Sequence, residues 1–249
     1  MTTPAIHRDR IRFAFEGAQI PAYIARPAAN PRLTVLMLGA IWSVTPHIED
    51  LCDRLAEAGY AAIAPCLFRN TGIPLREAEP EVLAQTFLDF DDCRCIRDLR
   101  AAGSAARRGE FGFAPGDIVP WGFCLGGRFA HYLAALRGAD DGIAGVVNYY
   151  GRLRFARQTN KPFLPAEVTS LIEVPYLGHF AEADQLIPLP DVDELRAALA
   201  ARNVPQRIEV YAGARHGFVD PERPGEHNPD AAARSWALSL QFLKDLSPT

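Results

Sequence analysis

Short, continuous apolar runs alternate along the chain with longer stretches whose apolar residues recur at helical spacing. Residues 10–16 and 19–25, rich in Ile, Phe and Tyr and separated by the turn-prone Gly17, predict an N-terminal β-hairpin at the antiparallel edge of a larger sheet. The run L-T-V-L-M-L-G (33–39) has the pattern of a strand covered on both faces. From Pro46 to Ala58, Leu51, Leu55 and Ala58 fall on one helical face and Gly59 supplies the stop. Y-A-A-I-A-P (60–65) is again a strand. A loop through Pro74 and Pro80 leads into a long helix reaching Arg108, and D-I-V-P-W (117–121) is the next strand. A helix follows Cys124. Strands at 145–150 and 174–179, a helix near 190–202, a strand at 207–211 and a helix from Pro229 to Leu246 complete the pattern. Strands alternating with helices in this way predict an α/β fold over residues 1–249 as one domain, with a mostly parallel sheet and helices on both faces.

Composition narrows the partners. With 30 acidic and 26 basic residues the formal charge is -4, and no basic run marks a nucleic-acid or membrane footprint, so a small molecule is the expected partner. The first ten residues lack the apolar core of a signal peptide and no later stretch is long and apolar enough to span a bilayer, which predicts a cytoplasmic protein. The five cysteines, Cys52, Cys66, Cys93, Cys95 and Cys124, have no disulfide-scaffold spacing. Cys93 and Cys95 stand on a helix with no second pair to complete a metal site, so no metal is expected.

The stretch W-G-F-C-L-G-G (121–127) carries the chemistry. It joins an apolar strand to the helix-compatible R-F-A-H-Y-L-A-A-L, the context of a nucleophile elbow. A sharp strand-to-helix turn strains its central residue and demands small neighbours two positions away, here Gly122 and Gly126. The helix N-terminus would favour the Cys124 thiolate, and the N–H of Leu125 would be an oxyanion donor. Downstream, Asp184 lies in G-H-F-A-E-A-D-Q-L-I-P and His216 in Y-A-G-A-R-H-G-F, each in a loop after an apolar strand. Nucleophile, acid and histidine thus occur in the order an α/β-hydrolase requires. A loop aspartate capping a helix and a solvent histidine are the plain alternatives. His47 reads as a surface histidine at a helix start, with a place on the pocket wall beside the oxyanion loop as the alternative, and of Tyr149 and Tyr150 one should pack in the core while the other could contact substrate. His179 and Asp184 with His216 fit no metal motif.

These residues resemble the dienelactone hydrolase family of α/β-hydrolases. The resemblance runs through I-P-A-Y-I-A-R-P (20–27), L-A-E-A-G-Y-A-A-I-A-P (55–65), G-F-C-L-G-G (122–127), Y-Y-G (149–151), the Asp184 loop and H-G-F (216–218). It implies a Cys124–His216–Asp184 triad, a second oxyanion donor at the N–H of Ile41, and thioester-mediated opening of lactones or small esters without metal or cofactor. Three departures accompany it. Ala40 stands where the family has a glutamate that engages the resting cysteine, so His216 would deprotonate Cys124 directly. After H-G-F the family's carboxylate-holding arginine is replaced in V-D-P-E-R, with Asp220 preceding Arg223. In the 69–81 region Arg69 and Arg76 both compete for the other anchoring position, Arg76 being the candidate contact, while Trp42 would reshape the pocket wall and Tyr150 contact substrate. A thioesterase or general esterase with the same triad is the rival enzyme. Loss of the glutamate motivates a non-catalytic binding protein as the rival of another class.

Overall fold

The computed structural model describes residues 5–29, 31, 33–138 and 141–247. Strands β1 (Ile6–Phe15) and β2 (Ala18–Pro27) form the expected hairpin, longer than its apolar segments because polar β1 lies along the sheet edge. The sheet then runs through β3 (Thr34–Leu38), β4 (Ala61–Pro65), β5 (Ile118–Phe123), β6 (Val146–Tyr149), β7 (Tyr176–Ala181) and β8 (Gln206–Tyr211). Spatial order is β1-β2-β4-β3-β5-β6-β7-β8, with β1, β2 and β4 paired antiparallel and the remainder parallel. Every residue of β3, β4, β5, β6 and β7 is buried, as continuous apolar runs require when helices cover both faces.

Helices α1 (Pro46–Glu57), α2 (Pro80–Asp89), α3 (Asp92–Arg107), α4 (Leu125–Ala135), the single-turn α5 (Pro165–Val168), α6 (Leu189–Ala201) and α7 (Pro229–Leu246) fill the connections. The single long helix expected before Arg108 is in fact two. Phe90 turns extended, at φ -65° and ψ 125°, and Asp91 caps α3 by accepting from the N–H of Arg94. The carbonyls this break leaves free are taken up from outside: Lys161 Nζ donates to Leu88 O and Phe90 O at 2.9 and 2.7 Å, and Asn160 Nδ2 to the same two atoms. A tertiary partner from 70 residues downstream is invisible to local periodicity. The break frees α2, which buries none of its residues fully, to stand over the sheet's carboxyl edge. No helix among the described residues is long and apolar enough to cross a membrane.

All eleven residues of α4 are buried, making it the core helix of the molecule. It can sit that deep because its first turn meets the sheet backbone directly. A Cβ on Gly122 would stand 2.0 Å from Gly126 O, and one on Gly126 would stand 2.0 Å from Leu38 O. Contacts that short involve backbone on both sides and cannot be relieved by a rotamer change. Gly126→Ala should therefore cost roughly 3 kcal/mol or more of stability. By contrast Gly17→Ala, at φ 73° in open space, should cost only about 1 kcal/mol. Thermal melts of the two variants, side by side, check the difference.

Candidate active site

Parallel strands in register bring their carboxyl ends together, and the loops leaving them build the site. Leu38 pairs beside Gly122, Phe123 beside Tyr149, Tyr149 beside His179, and Ala181 beside Tyr211. The chain leaving β3 supplies Ala40, Ile41 and Trp42; β5 leads into Cys124, β6 into Tyr150, β7 into Asp184 and β8 into His216.

Cys124 has φ 53° and ψ -110°, a conformation an L-residue adopts only under constraint, at a cost of about 1–3 kcal/mol. Its N–H donates to Tyr149 O at 2.9 Å and its carbonyl accepts from Arg128 N–H at 3.0 Å, which pins it between β6 and α4. His216 Nδ1 lies 2.7 Å from Asp184 Oδ2, and Leu186 N–H donates to Asp184 Oδ1 at 2.8 Å. The Asp184 side chain is 1% exposed, so its charge acts on His216 with little screening. The ring of Tyr150 stands 4.9 Å from that of His216 and blocks sideways movement.

The remaining nitrogen of His216, Nε2, is buried without an aligned hydrogen-bond partner. It lies close enough to the Cys124 sulfur for the two to share charge. Burial pushes the Cys124 thiol up, but the charge of His216 and the N–H of Leu125 outweigh it and leave the thiol below its ordinary value. Burial likewise disfavours the charged imidazole, while the Cys124 thiolate and Asp184 overcome it and push His216 up to about 10. Thiolate and imidazolium therefore stabilise each other, and the pair titrates as a unit.

A cavity of about 520 Å³ opens in front of the sulfur. Ala40, Ile41, Trp42, Leu125 and Tyr150 line it, with Phe87 and Leu83 of α2, Phe155 and Leu186. Tyr149 is the core member of the tyrosine pair, its hydroxyl 2.9 Å from Ser239 Oγ, and Tyr150 is the one that faces the cavity. Trp42 forms wall, its Nε1 donating to Leu75 O at 3.1 Å. Arg76 is placed otherwise than expected. It does not line the cavity: its guanidinium is held by Asp220 at 2.9 Å and Glu222 at 3.1 Å, 4.6 Å from the centre of the Trp42 ring. The two carboxylates draw it there. His47 also departs from the surface reading, since its Nε2 is buried without a partner and its ring lies 6.4 Å from that of Phe123. His179 is fully buried with both nitrogens occupied, by Tyr211 and Ser239 hydroxyls at 2.9 Å. Among the described residues no three His, Cys, Asp or Glu side chains converge as a metal site would require.

Sequence reading missed several cavity residues, among them Phe87, Phe155, Arg128 and Arg152. Phe87 was hidden by the helix break. Arg128, directly after G-G in a mostly apolar helix, is the legible one, because a charge on an all-buried helix needs a partner; it finds Asp92 at 2.9 Å, with both side chains almost wholly buried.

The charge pairing predicts a pH profile for Cys124 alkylation by iodoacetamide. The rate should rise through a midpoint below the ordinary thiol value, and His216→Ala should move that midpoint up by removing the imidazolium. Cys52 and Cys95, fully buried with thiols pushed far up, should not react in the folded protein. Peptide mapping of alkylated wild type and variant checks both statements.

Comparison with known proteins points to one family. Residues 20–247 match the model of the dienelactone hydrolase family. A protein of Escherichia coli (strain K12), provisionally named a carboxymethylenebutenolidase, is 34% identical over 235 residues, covering 92% of this chain and 83% of its own. A crystal structure from Klebsiella pneumoniae subsp. pneumoniae MGH 78578, provisionally described as a dienelactone hydrolase, superposes with a TM-score of 0.88 at 31% identity, covering 96% of this chain and 99% of that one. A dienelactone hydrolase-like promiscuous phosphotriesterase from metagenomic libraries shares the fold at a TM-score of 0.80 and 18% identity, over 98% and 100% of the two chains. With its α/β-hydrolase fold and a family match spanning nearly its whole length, the chain belongs to the dienelactone hydrolase family.

Proposed function

We propose that the protein, as one α/β-hydrolase domain, hydrolyses small carboxylic esters or lactones through a thioester on Cys124. The observation that carries this reading is the buried charge pairing of Cys124 with His216, itself anchored by Asp184, at the mouth of a largely apolar cavity. A pocket that only bound its ligand would have no use for a strained cysteine facing an oriented imidazole.

In the first step the Cys124 thiolate attacks the ester carbonyl carbon, forming a C–S bond and moving the π electrons onto oxygen. The N–H groups of Leu125 and Ile41 stabilise that oxyanion. Collapse breaks the C–O bond, and the departing alkoxide takes the proton from His216 Nε2; in a lactone it stays tethered to the acyl chain. His216, now neutral, accepts a proton from water, whose hydroxide attacks the thioester and expels the thiolate as the carboxylic product forms. Asp184 keeps the Nδ1 proton in place throughout. No step calls on a carboxylate at position 40. The thiolate is formed by His216 itself, and the methyl of Ala40 leaves space at the cavity wall.

Turnover of p-nitrophenyl acetate and of a dienelactone tests the reading. Cys124→Ala should lower kcat/KM by about 10³-fold or more, and Asp184→Asn by about 10²- to 10⁴-fold with little change in KM. For the wild type, kcat/KM should fall as pH drops through the depressed thiol value, where the thiolate is protonated. It should fall again as pH rises through about 10, where His216 loses the proton it donates. Equal, inert wild type and Cys124→Ala would instead support a binding role.

A further inference from the structure

Helix α2 turns an apolar stripe toward empty space. Pro80, Leu83, Ala84, Phe87 and Leu88 recur at helical spacing and all line the cavity, while Glu81, Gln85 and Asp89 stay outside it, exposed, with Gln85 Nε2 donating to Asp89 Oδ1 at 2.8 Å. A surface helix ordinarily seats such a stripe on the core. Here a cavity of about 520 Å³ lies between α2 and the strand ends, and no residue of α2 is fully buried.

The helix is tethered in this position by polar contacts. Lys161 Nζ, on a wholly buried residue, grips Leu88 O and Phe90 O, so hydrogen bonds fix the C-terminal end of α2 where packing does not. The Phe87 ring is fixed in turn. It meets the Phe155 ring edge-on with centres 5.3 Å apart, and the Arg128 guanidinium and Lys161 ammonium stand 4.8 and 5.3 Å from its centre. Tethers of this kind hold a cavity open without filling it, as a preformed ligand site requires.

The walls decide what the cavity takes. The α2 stripe borders the same space as the Cys124 sulfur, and Ile41, Trp42 and Tyr150 add to its apolar surface. At the cavity wall Leu88 and Leu186 are still 41% and 44% exposed, so that surface continues out to solvent. An acetyl group or a bare lactone ring covers little of it, whereas a fused ring system of naphthyl size would remove much of it from water. The volume also falls within the roughly 300–1,000 Å³ of sites that enclose drug-sized ligands.

We propose that the α2 stripe is a subsite for a bulky, uncharged apolar group of the substrate, and that Leu83 and Phe87 make the enzyme selective for esters or lactones carrying one beside the scissile bond. The selectivity rests on the hydrolytic reading, whereas occupancy of the subsite is measurable without turnover.

Protection of Cys124 from iodoacetamide reads that occupancy. In the wild type, 2-naphthamide should half-protect the cysteine at a concentration at least about 10-fold below that of acetamide. Leu83→Gln, which adds no charge near the thiolate, should raise the 2-naphthamide concentration by about 5- to 20-fold. Leu83→Met should retain protection, and Val82→Gln, at a position 49% exposed on the outer side of the same helix, should not alter it. In turnover, Leu83→Gln should lower kcat/KM by a similar factor, chiefly through KM, for at least one of two naphthyl esters relative to vinyl acetate. The two are p-nitrophenyl 2-naphthoate, with the ring on the acyl side, and 2-naphthyl acetate, with it on the alcohol side. If no ester is hydrolysed and protection still depends on Leu83, the hydrolytic reading falls and the subsite stands. Equal protection by the two amides, equal effects of Leu83→Gln and Val82→Gln, or naphthyl and vinyl esters slowed alike would overturn the subsite. So would a dimer whose formation alone shields Cys124 as protein concentration rises, since the stripe would then belong to a second copy.

Discussion

The backbone conformation of Cys124 is the constraint on which the rest of the site depends. A left-handed residue between β5 and α4 is stable only if the strand and the helix's first turn approach within backbone contact, and Gly122 and Gly126 permit that approach. Once made, the turn has three consequences. It lifts the sulfur clear of the sheet at its carboxyl edge. It aims the first N–H groups and positive end of α4 at that sulfur. And it drives α4 so far into the core that all of its residues are buried, which in turn obliges Arg128 to find Asp92 on α3.

Electrostatics then divides the buried titratable groups into two populations. His179, shut in behind the site between Tyr211 and Ser239, is pushed down to about 3 by burial and stays neutral, a fixed strut of hydrogen bonds. His216, its side chain only 14% exposed, is pushed the other way because a thiolate and a carboxylate flank it. The difference is a matter of neighbours, since burial disfavours the charged imidazole in both cases. Cys124 and His216 thus create each other's ionisation, and this mutual support poises the cysteine with an alanine, not a carboxylate, at position 40.

The sheet, its hairpin edge and the strand ends bearing Cys124, Asp184 and His216 were legible because each rests on a short local signal. Apolar runs mark buried strands, and glycines at fixed offsets mark the turn. What escaped was non-local. The helix break at Phe90 depends on Lys161 and Asn160, distant in sequence, capping carbonyls with no recognisable motif. Arg76 looked like an anchor from its neighbourhood alone, but its direction was set by Asp220, 144 residues away.

The central claim, that Cys124 is the nucleophile, is tested most directly by acid-quenching the enzyme during turnover of p-nitrophenyl acetate and mapping the acyl group by mass spectrometry. The account predicts an acetyl group on the peptide containing Cys124, removable by hydroxylamine at neutral pH as a thioester is. An acetyl group on a serine or histidine instead, or undiminished turnover when Cys124 is replaced by alanine, would contradict it.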